Sequence, residues 1–420
     1  MKMSGDEPVI LVFTTVFPHS GQPNAGLFIR ERMFRVGKTL PLKVVAPVPW
    51  FPFQGLIRKL RPHFRPEAPR SEIQGGFEVL HPRFFSVPGL FKSLDGLFMA
   101  LGCLPTLWRL RRRFDFQIID AHFAYPDGFA ATLLGKWLGV PVTITLRGTE
   151  MRLSRRRLHR HLIRQAMMSA TRVFAVADSL KRHALSLGID TGKVRVVGNG
   201  VDMDKFLHLP QLSARRRLGL PPEAPVLVSV GGLVERKGFH RVIDCLPELR
   251  RAFPDLRYLI VGGTSAEGDW EQRLRRQAEA LRLGESVTFL GAQPPEALSA
   301  ILSSADVFVL ATRMEGWANV FLEAMACGLP VVTTRVGGNA EVVCRPELGT
   351  LVPFGDGPAL GRAIADALGK SWDREEIIAY ASENSWDDRV AALIEEFRLI
   401  AGEGRGRESL SMRGKAGATR

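Results

Sequence analysis

Two short apolar runs, Val307–Leu310 and Val331–Thr333, bracket twenty residues that carry a loop, a stretch of helix formers and a Gly-Pro stop. Phe321 to Cys327 favours helix, Gly328 stands where a helix C-terminus takes glycine, and Pro330 forbids continuation. A buried strand, a helix and a second buried strand in that order form a crossover unit of a parallel sheet. The rhythm repeats along the chain. Val9–Thr14, Leu42–Pro47, Gln117–Asp120, Val142–Leu146, Val173–Val176 and Val194–Val197 read as strands in the first half, separated by helical patterns over 27–36, 128–138, 158–169 and 179–187. Val226–Val230, Tyr258–Val261 and Val287–Leu290 continue the series, with helical patterns over 239–253, 269–283 and 295–303. The expectation is α/β architecture with two doubly wound, Rossmann-like domains. Pro247 predicts a kink or break in the helix it interrupts.

At 420 residues the chain is too long for one ordinary core. The polar, proline-rich stretch 206–225 reads as a linker, so the domains are expected at 1–205 and 206–384, with a helix over 385–401 and a disordered tail over 402–420. The four cysteines show no CxxC spacing and lie mostly in apolar contexts, as buried free thiols of a reducing compartment do. No signal peptide and no membrane-spanning stretch is visible. Cytoplasmic localisation is therefore expected.

Charge divides the halves. Residues 1–205 hold 31 Lys and Arg against 15 Asp and Glu, while the remainder holds 26 against 28. A basic half suits an anionic membrane surface or a phosphorylated acceptor, or simply solubility. Between Trp50 and Phe114 many aromatic residues stand among Arg58, Lys59, Lys92 and Arg109 to Arg113. This insertion suits a membrane interface on the inner face of the cytoplasmic membrane. It equally suits an ordinary two-helix insertion with arginine stems lying along it. No nucleic-acid-binding module is present, and no nucleic-acid partner is expected.

The residues with chemistry cluster at strand ends. Glu315 and Glu323 lie eight positions apart across a strand-to-helix junction, beside a helix N-terminus whose free N–H groups suit phosphate. Carboxylates there can accept from sugar hydroxyls. Gly231-Gly232 and the cations Arg236 and Lys237 follow another strand and precede a helix, at the edge where open α/β sheets bind ligands. Neither the dinucleotide fingerprint nor a phosphate-binding P-loop occurs. In the first half, the loop 18–28, the segment Asp120-Ala121-His122 and the run Arg147-Gly148-Thr149-Glu150 also end strands.

These segments resemble the retaining glycosyltransferases of family four, which have the GT-B architecture, over nearly the whole chain. The stretch from Glu315 to Val332 matches the family's E-x7-E signature, Arg147 to Glu150 resembles its acceptor-side element, and Asn199-Gly200-Val201-Asp202 resembles its segment before the crossover. The resemblance implies two domains facing across a cleft, with the last helix returning to the first domain. It implies that Lys237 and Arg236 bind the donor diphosphate, that Glu323 accepts from the ribose and Glu315 from the transferred sugar. Backbone at Gly231, Gly316, Asn319 and Val320 would approach the nucleotide sugar, with Gly26 opposite them.

Two positions depart from the pattern. Gly232 stands where the family has Arg, and Arg147 where it has His. A guanidinium cannot take a proton, which leaves His122 as the nearest imidazole. The resemblance implies transfer of a sugar from a nucleoside diphosphate to a saccharide or lipid-linked saccharide, with retention, in cell-surface polysaccharide or glycolipid biosynthesis. No strand-end Asp-x-Asp pair suits a metal, so no cofactor and no obligatory metal is expected, the cations stabilising the leaving group instead. A sugar-nucleotide epimerase or hydrolase, and a non-catalytic membrane- or polysaccharide-binding protein, are the rival readings.

Overall fold

The computed structural model describes residues 7–23, 25–60, 64–265 and 268–416, the stretch 404–416 by backbone alone. It divides into two units, Met1–Gly198 with Asp387–Arg420, and Asn199–Trp386.

The first unit is built on an eight-stranded sheet. Its strands and their neighbours are β1 (Ile10–Phe13), β2 (Leu42–Val45), β3 (Val48–Trp50), β4 (Ser71–Gln74), β5 (Phe77–Leu80), β6 (Arg83–Phe85), β7 (Ile118–His122), β8 (Val142–Leu146), β9 (Arg172–Ala175) and β10 (Val194–Val196). The main sheet runs β10-β9-β8-β7-β1-β2-β5-β4, and β3 pairs with β6 separately. Every pairing in it is parallel except β4 with β5. Strands β1, β7 and β8 are buried along their whole length, as sheets covered by helices on both faces require.

The second unit carries β11 (Val226–Val230), β12 (Arg257–Val261), β13 (Val287–Gly291), β14 (Val307–Leu310), β15 (Val331–Thr334) and β16 (Gly349–Val352), all parallel, in the order β13-β12-β11-β14-β15-β16. In each unit the chain starts near the middle, winds to one side, then crosses to the other. The strand order therefore reverses beside β1 and beside β11, at the β1/β7 and β11/β14 seams. Such switch points leave a crevice at the strands' C-terminal ends.

Several expectations change. Residues 50–114 are more than a two-helix insertion, because β5 joins the main sheet through Val44 and Val79 and brings β4 with it. The stretch read as a linker is folded onto the second unit. Its helix Gln211–Arg217 buries Arg215, which donates to Ser304 O at 3.0 Å and to Asp306 Oδ2 at 2.8 Å. The helix Phe239–Ala252 continues through Pro247. One lost N–H bond is outweighed there by the buried stripe of Phe239, Val242, Ile243, Leu246 and Leu249. Cys103, Cys245 and Cys327 are buried, but Cys344 is exposed.

The last helix runs Trp386–Ala416, past Gly402, where a disordered tail is expected. Extending an existing helix needs no new nucleus, so even the glycine-rich end continues it; residues 417–420 lie outside the described residues.

Candidate functional site

In the second unit, β11 and β14 are neighbours, with Leu227 opposite Val307, so the loops that leave them emerge side by side at the switch point. The β11 loop passes Gly231 and Gly232, makes a tight turn over Glu235–Lys237 and enters the helix Phe239–Ala252 through Gly238. Gly238 has φ 80°, and the place its Cβ would take is filled by the Ala311 carbonyl of the β14 loop. Only glycine allows both that conformation and that approach. The Arg236 carbonyl then accepts from Arg313 N at 2.8 Å and from Thr312 Oγ1 at 3.0 Å, locking the loops together.

This locking assembles a charge triad. Glu315 Oε1 accepts from Lys237 Nζ at 2.6 Å, from Arg236 Nη1 at 3.2 Å and from Thr312 Oγ1 at 3.2 Å. Arg236 Nη1 also donates to Met314 O at 3.0 Å. Glu315 is buried, and both cations are largely covered. The Lys237 stem lies over Gly231, and Gly337, at φ 51°, packs directly on the Glu315 carbonyl. A carboxylate thus holds two cations at the switch point, one charge in excess.

Helix Asn319–Ala326 begins four residues after Glu315. Its first N–H groups, at Asn319 and Val320, lack intrahelical acceptors by geometry. The Asn319 side chain is fixed by Asn199, whose Nδ2 donates to Asn319 Oδ1 at 2.9 Å. Glu323 lies half-buried on the second turn, and Gly316 half-buried in the loop. Sequence reasoning passed over Trp317, whose indole Nε1 is enclosed with no hydrogen-bond acceptor among the described residues. A Cβ at position 232 would sit 3.0 Å from that of Ser265, so a side chain there needs Ser265 to give by a few tenths of an ångström.

In the first unit the switch point gathers polar groups from three strand ends. His122 closes β7 and Arg147 follows β8; Arg147 Nη2 lies 3.0 Å from His122 Nδ1. A guanidinium has only donors, so Nδ1 accepts and the imidazole proton sits on Nε2, 3.4 Å from Asp120 Oδ2. Burial, with Arg147 and Arg32 adding to it, holds the His122 pKa well below its ordinary value. His122 is therefore neutral, and its lone pair is committed to orienting Arg147. Burial and Arg32 lower the Arg147 pKa as well, and its guanidinium lies 5.0 Å from the Phe28 ring centre. Asp120 accepts from Thr143 Oγ1 at 2.6 Å, and burial raises its pKa to about 6.

Two more buried carboxylates hold the loops. Glu150 accepts from Ala124 N at 2.9 Å and from Gly148 N at 2.8 Å, joining the β7 and β8 loops. Asp127 accepts from the backbone N–H and the hydroxyl of Thr15, joining the β1 loop to them. Gly26, at φ 67°, caps helix Leu27–Gly37 with the Val16 carbonyl in its Cβ position. Arg32 is fully buried on that helix, donates to Val197 O at 3.3 Å, and has its pKa lowered by burial to about 10. It was legible in principle: Arg32 falls on the same face as Ile29, Met33 and Val36, where a cation is out of place.

Paired parallel α/β units, each with its polar groups at the switch point, define the class. The solved structure of Anabaena HepE with UDP superposes with a TM-score of 0.68 over 92% of this chain and 99% of that one, at 20% identity. The fold is that of the GT-B glycosyltransferases.

Two family models match the sequence, Glycosyltransferase Family 4 over residues 60–205 and Glycosyl transferases group 1 over residues 211–384. The chain belongs to this family of glycosyltransferases. It is 27% identical to the putative teichuronic acid biosynthesis glycosyltransferase TuaC of Bacillus subtilis, across 91% of both chains. It is 42% identical to the GDP-mannose-dependent alpha-(1-6)-phosphatidylinositol monomannoside mannosyltransferase of Mycolicibacterium smegmatis, over 40% of this chain and 45% of that protein. The chain spans about half the length of most curated relatives it matches.

Proposed function

We propose that this protein transfers a sugar from a nucleoside-diphosphate sugar to a hydroxyl of a saccharide or lipid-linked saccharide, with retention of anomeric configuration. The observation that carries the reading is the Lys237–Glu315–Arg236 triad at the β11/β14 switch point, four residues before a helix N-terminus. An arriving diphosphate takes over the two cations and the N–H groups of Asn319 and Val320. Glu315 is then released to accept from hydroxyls of the transferred sugar, and Glu323 from the ribose. Gly231, Gly316 and Gly26 let backbone approach the donor.

As the glycosidic bond breaks, negative charge develops on the leaving diphosphate, where Lys237 and Arg236 stabilise it in place of a metal. The leaving phosphate accepts the acceptor's proton. Arg147, oriented by His122, binds an acceptor hydroxyl or anion.

The acceptor side has its own support. Of 22 large apolar residues exposed among the described residues, 13 lie from Trp50 to Trp108, and Leu97, Leu101 and Trp108 form one stripe on helix Asp95–Arg111. Such a patch on a basic unit fits peripheral attachment to an anionic membrane at the cytoplasmic face. No helix among the described residues is long and apolar enough to cross a membrane. The names of the two relatives fit an acceptor in cell-surface polysaccharide or glycolipid synthesis.

The test is turnover of a panel of nucleotide sugars with and without saccharide acceptors, in excess chelator, with the product's anomeric configuration read by proton NMR. Acceptor-dependent transfer with retention, unchanged by chelator, supports the reading. Turnover indifferent to acceptor identifies an epimerase or hydrolase instead.

A further inference from the structure

Away from both switch points, the first unit has a cavity of about 550 Å³, within the usual range of ligand sites. Arg70, Arg83, Arg109 and Arg113 line it together with Ser71 and Thr106, and no Asp or Glu does. Three elements converge to make it: the edge strand β4, the exit from β5 into β6, and the last turns of helix Asp95–Arg111. Thr106, Arg109 and Arg113 are spaced at i, i+3 and i+7, so they lie on one side of that helix and its end.

The cations of this region do not all behave alike. Arg111 donates to the Leu138 carbonyl, and Arg112 stacks on Trp108 at 3.7 Å from the ring centre. Arg83 reaches Glu67 at 3.4 Å, a carboxylate that Arg58 shares at 3.2 Å. Arg70, Arg109 and Arg113 are solvent-exposed and make no ion pair or side-chain hydrogen bond among the described residues, and neither do the hydroxyls of exposed Ser71 and half-buried Thr106. The buried His81 beneath them is already satisfied, by Ala46 O at 3.2 Å and Glu72 at 3.1 Å. A helix C-terminus favours a nearby cation. That preference does not explain why Arg70 and Arg83, from two other elements, share one cavity with Arg109 and Arg113. Three solvent-exposed guanidiniums without a carboxylate partner, and a fourth whose Glu67 is shared with Arg58, thus face one concave surface, where an anion meets cations on several sides.

We propose that this cavity is a second anion site, which takes the phosphate group of a phosphate ester. Arginine forks match phosphate oxygens two at a time, and the Ser71 and Thr106 hydroxyls donate to the remaining oxygens. The cavity is larger than phosphate alone and leaves room for the glycerol or sugar that carries it. The site is independent of the donor diphosphate, which falls to Lys237 and Arg236 in the other unit.

The test uses the full chain carrying K237A, so that the donor cations do not compete, with and without the added pair R109Q and R113Q. Glycerol 3-phosphate is titrated by calorimetry, and flotation measures binding to vesicles of phosphatidylglycerol in phosphatidylcholine. Unfolding temperature establishes that the variants fold, and a third variant with R109K and R113K keeps the charge. The expected result is glycerol 3-phosphate binding that drops at least tenfold in the glutamine pair and is partly kept in the lysine pair. If vesicle binding drops with it, the occupant is a lipid headgroup; if vesicle binding stays, it is a soluble phosphate ester. Binding that is absent before the glutamine changes, or unaltered by them, overturns the site.

Discussion

Glu315→Gln separates the roles of the triad. The carboxylate is buried and receives Lys237 at 2.6 Å and Arg236 at 3.2 Å. A hydrogen bond to a charged group contributes about 1.5–3 kcal/mol. The glutamine oxygen still accepts from Lys237 and Thr312, so only part is lost, roughly 2 kcal/mol in the ligand-free protein. For a unit the size of Asn199–Trp386 this lowers the unfolding temperature by roughly 4–8 °C.

A nucleoside diphosphate changes the balance. On the proposed donor site its phosphates replace the missing charge, so the gap between variant and wild type should narrow when nucleotide saturates both. The variant should bind the diphosphate as well as the wild type or better, because nothing competes for the cations, yet turn over poorly for want of a group that accepts from the sugar. The assay is scanning calorimetry with and without nucleoside diphosphate, paired with kcat on a donor sugar. A ligand-free variant as stable as wild type would show that the triad contributes nothing net. A gap equally wide with nucleotide would show that Lys237 and Arg236 do not meet the diphosphate.

Three further predictions follow different forces. Lys237→Ala removes one charge-assisted contact and should weaken nucleoside-diphosphate binding by about 10- to 150-fold, from 1.5–3 kcal/mol, as titration calorimetry would show. Arg215→Met strips the buried bonds to Ser304 and Asp306 and should cost roughly 3 kcal/mol by denaturant unfolding, with donor affinity untouched. Asp127→Asn tests linkage. Burial raises the Asp127 pKa to about 7 from an unfolded value of about 3.9, so the folded state binds the extra proton between them. Its contribution is full below the unfolded value and is lost as pH rises through 7, at most about 4 kcal/mol. The unfolding temperature of the variant relative to wild type should therefore climb between pH 4 and pH 7, then level off; a flat difference would contradict the raised pKa.

What could be read ahead of the structure follows from how far each signal reaches along the chain. β14, the E-x7-E loop and its helix are continuous in sequence, and their order survives intact. The β16 strand Gly349–Val352 carries only two apolar residues, Leu351 and Val352, behind Gly349 and Thr350, too few for a periodicity argument. β4, β5 and β6 were hidden inside an aromatic-rich stretch whose composition suggested helices. The union of Glu315 with Lys237 depends on β14 docking against β11, a contact across some eighty residues that no local pattern encodes. Asp127 accepts from Thr15 in a distant loop, and Glu150 from Ala124 as well as from its own turn at Gly148. The long-range halves of these bonds are not announced by their neighbours in sequence. Arg147 was recognised, but its dependence on His122 required the 3.0 Å geometry.

The measurement that bears most directly on the donor site is a thermal-shift panel of nucleoside diphosphates and their sugars, run on wild type and Glu323→Ala. A ligand bound only by the folded state adds about 2.7 kcal/mol at 100 times its dissociation constant. The account predicts a shift selective for one base, lost or much reduced in the variant because the ribose hydroxyls lose their acceptor. No shift with any nucleotide, or one that Glu323→Ala leaves unchanged, would contradict it.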